Sequence, residues 1–262
     1  SYQETLTIQS DYAKAHNNLG IIYNELGQNN DAIKSYKEAL SLQPDFVDAL
    51  NNLGNIQTEL GQLDEAIKSY NQALDIEPNH IEVHNNLGNI LNDLGQLDEA
   101  VKHYEKAIAI YPDYGEAHNN LGSTLNELGE MDKAVKHYER AIAINPYYAE
   151  AHNNLGTALK AFGKLDEAIK SYMNAITINP NFADVFFNLG ILYYDLGQPE
   201  EALNYYRKAL SINPDFAAVH ENLGLILQEM GQSDEAFNSY VYALALEPEN
   251  ANIHRNLSTL KN

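Results

Sequence analysis

The chain has 262 residues, with 16 Lys and Arg against 37 Asp and Glu, a formal net charge of −21, and neither Cys nor Trp. Such a surface has little with which to neutralise phosphate, which makes nucleic acid and anionic membrane poor partners. Without a thiol there is no disulfide, no thiolate metal site and no cysteine nucleophile; no apolar run has the length of a spanning helix, and no signal-like segment follows Ser1. A cytoplasmic setting, and a piece of a longer protein, are the expectations.

Along the chain, residues 1–12, SYQETLTIQSDY, align with SYKEALSLQPDF at 35–46. They predict the second half of a second helix whose partner is missing. From residue 13 a period of 34 sets in. Gly recurs at 20, 54, 88, 122, 156, 190 and 224, and again from 27 to 231. Tyr recurs from 36 to 240 and Pro from 44 to 248 at the same step. Strand patterns are absent, and inside one unit the apolar spacing is helical, as in Leu87, Ile90, Leu91 and Leu94, then Ala100, Tyr104, Ala107 and Ile108. Between these two runs, Gly95 suits the left-handed position that closes a first helix, and Asp98 suits the cap of a second. Pro112 ends the unit. Seven helix–turn–helix units follow at 13–46, 47–80, 81–114, 115–148, 149–182, 183–216 and 217–250. Residues 251–262 begin an eighth first helix, with Leu257 in register. A short unit cannot bury its own apolar face, and stacked neighbours supply a continuous core. The chain 1–262 is thus predicted as one all-α array. At its ends Tyr2, Leu6, Leu257 and Leu260 lack their usual neighbours. Two explanations stand open there: fraying where a longer array is cut, and head-to-tail self-association of one copy with the next.

The third unit carries His84, Leu87-Gly88, Leu91, Ala100, Tyr104, Ala107 and Pro112. This resembles the tetratricopeptide repeat: a large residue, Leu-Gly, an aromatic, Ala and Pro at fixed places. Seven in-register copies cover almost the whole chain. Departures are His, Leu or Phe where that pattern prefers Trp, and Gln57 or Leu where it prefers Tyr. The resemblance implies a right-handed α-solenoid superhelix, with the first helices lining a concave groove.

The first helices keep an asparagine doublet, as in AHNNLG at 15–20, 117–122 and 151–156. Asn costs a helix up to about 0.7 kcal/mol against Ala. On a helical wheel, with Leu121, Leu125 and Leu128 marking the core, Asn120 falls at the edge of the groove and Asn119 nearly opposite the core, facing the groove. The wall column is Asn18, Asn52, Asn86, Asn120, Asn154, Asn188, Asn222 and Asn256. The column beside it is Asn17, Asn51, Asn85, Asn119 and Asn153, then Phe187, Glu221 and Arg255. An amide offers both donor and acceptor, matching a peptide unit. Two roles follow: a clamp for the backbone of an extended peptide, and hydrogen bonds between neighbouring helices that fix the repeat spacing. The column resembles the asparagine ladder in the tetratricopeptide superhelix of O-linked N-acetylglucosamine transferases, which implies peptide clamping by Asn18, Asn52, Asn86, Asn120, Asn154, Asn188 and Asn222. The carboxylate clamp of chaperone-binding members needs Lys and Arg, and is excluded by Asn17, Asp48, Glu82 and Asn86 at those places.

Beside the asparagines run Asp48, Glu82, Glu116, Glu150 and Asp184, and a second row of Glu25, Glu59, Asp93, Glu127, Asp195 and Glu229. A surface of one sign favours a cationic partner. Phe187, Ile191 and Tyr194, at i, i+4 and i+7, break this polar face and form a candidate anchor pocket. The recurring histidines are assigned to packing; no metal site, cofactor or catalytic constellation is expected. The chain is expected to be a non-catalytic scaffold for an extended basic peptide, the alternatives being the substrate-recruiting arm of a larger enzyme such as a glycosyltransferase and a self-associating array.

Overall fold

A computed structural model describes residues 2–260 of the chain, with side-chain surroundings from Ser10 to Leu260; the predicted end contacts of Tyr2 and Leu6 lie outside these. Among the described residues the fold is entirely α-helical. One unit spans residues 1–144 and a second 145–262. The first holds α1 (Tyr2–Glu25), α2 (Asn29–Leu42), α3 (Val47–Glu59), α4 (Leu63–Ile76), α5 (Ile81–Asp93), α6 (Leu97–Ile110), α7 (Gly115–Glu127) and α8 (Met131–Ile144). The second holds α9 (Ala149–Ala161), α10 (Leu165–Ile178), α11 (Ala183–Asp195), α12 (Pro199–Ile212), α13 (Ala217–Glu229), α14 (Ser233–Leu246) and α15 (Ala251–Thr259). In each unit, consecutive helices pair into hairpins, and each hairpin stacks on the next.

The helix ends follow from single residues. Gly95 has φ +71°, the left-handed conformation that stops α5 and which L side chains resist. Second helices stop before proline: Tyr111, next to Pro112, is extended at φ −130° and ψ 93°, because the proline ring disfavours helical backbone in the residue ahead of it. Two expectations are corrected here. Gln96, not Asp98, occupies the cap of α6; Asp98 lies within its first turn, where a carboxylate complements the helix dipole. Residues 1–12, predicted as the second half of a separate second helix, are also not set apart: from Tyr2 they continue into the first helix of the first repeat. Gln43-Pro44-Asp45 becomes Gln9-Ser10-Asp11, and without the proline α1 runs unbroken from Tyr2 to Glu25.

Within each hairpin one contact recurs. A methyl group added to Gly88 would sit 2.6 Å from the Tyr104 ring, and one on Gly190 2.3 Å from Tyr206. The tyrosine therefore occupies the volume that a side chain on the first helix would take. Tyr70, Tyr104, Tyr172, Tyr206 and Tyr240 are buried there to within 2% of their surface, ringed by alanines of the second helix such as Ala100 and Ala107.

Candidate functional site

The asparagine doublet is partly an internal fastening. Asn52 Nδ2 donates to Asn17 Oδ1 at 3.0 Å. Asn86 Nδ2 donates to Asn51 Oδ1 at 3.3 Å and to Asn55 Oδ1 at 2.9 Å. Asn120 Nδ2 donates to Asn85 Oδ1 at 3.2 Å and Asn89 Oδ1 at 3.0 Å. In the second unit Asn188 Nδ2 donates to Asn153 Oδ1 at 2.9 Å. The first asparagine reaches forward in turn: Asn51 Nδ2 lies 3.4 Å from Glu82 Oε2, and Asn85 Nδ2 2.9 Å from Glu116 Oε1. Each such bond contributes on the order of 1 kcal/mol, enough to offset the helix propensity the asparagines forgo.

This changes where the predicted residues stand. Asn51, Asn85 and Asn119, placed facing the groove by the wheel, are buried, with Asn85 at 0% exposure. A first helix here touches both its hairpin partner and the next repeat, and the face opposite one core is covered by the other. Asn153 is half-buried. Of the wall column, Asn18 is exposed, and Asn52, Asn86, Asn120, Asn154, Asn188 and Asn222 are half-buried. Asn86 and Asn120 spend both N–H bonds on neighbouring repeats; the carbonyl oxygen is the half of the amide not committed to those bonds. Asn55 and Asn89 were missed as partners, although they recur at 34 residues beside the doublets. They also accept from the ring tyrosines, Tyr70 at 2.6 Å and Tyr104 at 2.8 Å.

Asp48, Glu82, Glu116, Glu150 and Asp184 are exposed, as are Glu25, Glu59, Asp93, Glu127, Asp195 and Glu229. Lys160 of α9 meets the second of these rows, its Nζ 3.0 Å from Asp195 Oδ2. Helices α3, α5, α7, α11 and α13 contain no Lys or Arg, while the second helices carry Lys68, Lys102, Lys106, Lys136, Lys170, Arg207 and Lys208. Cations are thus concentrated on second helices, while carboxylates occur on both kinds of helix. Phe187, Ile191 and Tyr194 are half-buried and pack on the core of the second unit. The Phe187 ring lies 5.1 Å from Phe216, and Tyr194 Oη donates to Glu229 Oε1 at 2.7 Å. That bond pushes the Tyr194 phenol up to about 12.

The histidines fasten turns. The Nε2 atoms of His84, His118, His152, His220 and His254 lie 2.8–3.2 Å from the carbonyl oxygens of Pro78, Pro112, Pro146, Pro214 and Pro248. Two of them also meet a histidine of the second helix, His84 Nδ1 at 2.9 Å from His103 Nδ1 and His118 Nδ1 at 3.0 Å from His137 Nδ1. A carbonyl accepts, so Nε2 of His84 carries its proton and its Nδ1 accepts from His103. Burial drives His103 and His137 down to about 4. No group of three metal-ligating side chains occurs among the described residues.

Repeats of this geometry define an all-α protein of stacked helical hairpins. The chain belongs to the tetratricopeptide repeat family, whose signatures match residues 45–113, 79–146, 183–216, 137–170 and 205–238 as tetratricopeptide repeat, and 22–61 and 158–197 as TPR repeat. Proteins of this family mediate protein–protein interactions. Among solved structures the chain is similar to a tetratricopeptide repeat protein from Parabacteroides merdae (21% identity, 96% of this chain and 100% of that one, TM-score 0.75). It is similar also to Cut9 in the APC/C hetero-tetramer Cut9–Hcn1 (18%, 92% and 47%, TM-score 0.79). Both show the fold alone. YrrB, described as a TPR protein with an unusual peptide-binding site, is 26% identical over 70% of this chain and 95% of its own, with TM-score 0.56. No curated protein matches the chain by sequence. Among the described residues no helix is long and apolar enough to cross a membrane.

Proposed function

We propose that the chain is a non-catalytic interaction scaffold whose first-helix faces bind an extended, basic segment of a partner protein. The observation that carries this is the absence of Lys and Arg from α3, α5, α7, α11 and α13, which leaves their exposed carboxylates unbalanced. The second helices α2, α4, α6, α8, α10 and α12 carry carboxylates as well, but with Lys or Arg beside them on the same helix. A face of one sign concentrates potential and draws a cationic segment. The wall asparagines Asn18, Asn52, Asn86, Asn120, Asn154, Asn188 and Asn222 supply oxygens that accept from backbone N–H groups of the segment. Since Asn86 and Asn120 use their donors internally, the ladder grips a peptide from one side of each peptide unit. The similarity to YrrB supports a peptide as the ligand.

The test is titration of fluorescein-labelled 12-residue peptides, one alternating Lys and Ser and one alternating Glu and Ser, in 50 and 200 mM salt. The basic peptide is expected to bind, more weakly at high salt. The triple variant Glu82→Gln/Asp93→Asn/Glu116→Gln is expected to weaken it about tenfold, the scale of losing charge-assisted bonds. Equal binding of the acidic peptide, or none of the basic one, would sink the proposal.

A further inference from the structure

The first-helix face of the second unit holds groups that hairpin stacking does not use. In repeats two to five the ring tyrosine finds a polar partner on its own first helix: Tyr70 Oη donates to Asn55, Tyr104 to Asn89 and Tyr138 to Ser123, and Tyr172 Oη lies 3.1 Å from Thr157 Oγ1. In the sixth repeat that position is Ile191. Among the described residues the Tyr206 hydroxyl has no hydrogen-bond partner, although the residue is only 1% exposed. No fully buried side-chain polar atom is left unpaired among them, so this hydroxyl reaches the surface at its tip.

Around it stand unlike chemistries. Phe187 replaces the buried asparagine of earlier repeats, its ring 6.0 Å from that of Tyr206. In the next repeat Glu221 takes the same place, half-buried, and among the described residues no Lys or Arg forms an ion pair with it. Burial, with Glu247 nearby, pushes the Glu221 carboxyl up. Burial pushes the Tyr240 hydroxyl up to about 12, with Glu221, Glu229 and Tyr194 adding to it, and Tyr194 reaches α13, the helix of Glu221, through its bond to Glu229. A half-buried carboxylate without a counter-charge is unfavourable in the free protein, and a cation brought by a ligand would relieve it. Arginine suits the place better than lysine. Its guanidinium is weakly hydrated, binds a carboxylate through two N–H groups, and stacks on aromatic rings.

We propose that Phe187, Ile191, Tyr194, Tyr206 and Glu221 form a subsite for one arginine of the bound segment. The guanidinium pairs with Glu221, the methylene stem crosses Ile191 beside the rings of Phe187 and Tyr194, and the Tyr206 hydroxyl donates to a carbonyl of the segment. The inference rests on the basic-segment function above and adds the choice of residue.

The experiment compares three fluorescein-labelled peptides in which Ser alternates with Arg, Lys or citrulline, on the full chain and two variants. Glu221→Asn installs the residue found at this place in the first five repeats, and Tyr206→Phe keeps the ring against Gly190, so both are expected to fold, as checked by circular dichroism. The Arg peptide is expected to bind about tenfold more tightly than the Lys peptide, and citrulline to abolish binding. Glu221→Asn should bring the Arg peptide to the level of the Lys peptide. Tyr206→Phe should weaken both about threefold and leave their ratio alone. If Arg and Lys peptides bind the parent chain equally, or Glu221→Asn leaves their ratio unchanged, the subsite is wrong while the basic-segment function stands. If neither peptide binds the parent chain, both fall.

Discussion

The two units fasten their helices with different chemistry on the same backbone plan. In the first, buried side-chain amides cross from hairpin to hairpin, from Asn52 to Asn17, Asn86 to Asn51 and Asn120 to Asn85, and histidine pairs tie helix to helix. In the second, Asn188 donates to Asn153. Within the sixth repeat the Phe187 ring meets Phe216, and Tyr193 of α11 stacks on Tyr205 of α12 at 5.1 Å. Directional bonds fix the spacing of hairpins atom by atom. Aromatic contacts inside a repeat leave polar groups, such as the Tyr206 hydroxyl, for other uses. The lesson is that the lock between Gly and Tyr sets the hairpin, and the residues beside the doublet position are then free to differ.

The largest effect should come from the amides. Asn85→Ala removes an acceptor for Asn120 and a donor to Glu116 at a site with no exposure, and should cost about 2 kcal/mol in urea unfolding. Asn153→Ala, at a half-buried site with one inter-repeat bond, should cost about 1 kcal/mol. Equal losses would break the distinction between the units.

Acid should separate the units next. A histidine whose folded pKa lies below its unfolded value contributes stability that is complete above the unfolded value near 6.5 and is lost as pH falls toward about 4. For each of the two pairs, allowing for solvent screening, the loss is roughly 1–2 kcal/mol. Amide exchange followed from pH 7 to 4 should therefore show residues 81–144 loosening ahead of residues 183–250. In the double variant His103→Ser/His137→Ser, which copies Ser69 and Ser171, that lead should vanish. A lead that persists in the double variant would remove the histidine pairs as its source.

The smallest effect sharpens the contrast most. Tyr104→Phe deletes a hydroxyl bonded to Asn89 and should cost about 1 kcal/mol. Tyr206→Phe, at the equivalent place, deletes a hydroxyl with no partner among the described residues and should change stability by less than about 0.5 kcal/mol. Thermal melts of the two variants test this, and matching shifts would mean that Tyr206 has a partner after all.

Much of this was legible in the amino-acid sequence, because the signals were local and repeated. The 34-residue period, the glycines that end first helices and the prolines that end second helices each act through a neighbouring residue or two. The Asn doublet was legible as a column but not as a geometry. A wheel with one core direction assigns Asn119 to the open face, whereas a helix in a stack has two packed sides. The histidine pairs join residues 19 apart on different helices, a spacing that composition and helical periodicity do not reveal. The aromatic patch at Phe187 was visible as a break in the pattern; the hydroxyl beneath it was not, since its exposure follows from an acceptor that Ile191 lacks.

The continuity of α1 bears on how such arrays change in evolution. Residues 9–11 and 43–45 differ only at Ser10 and Pro44, yet one stretch lies inside a helix and the other turns the chain. Loss of one pyrrolidine ring thus fuses two helices into a rod of 24 residues, about 36 Å long at 1.5 Å per residue. A duplicated repeat can in this way become a straight spacer by point substitution, with no insertion or deletion.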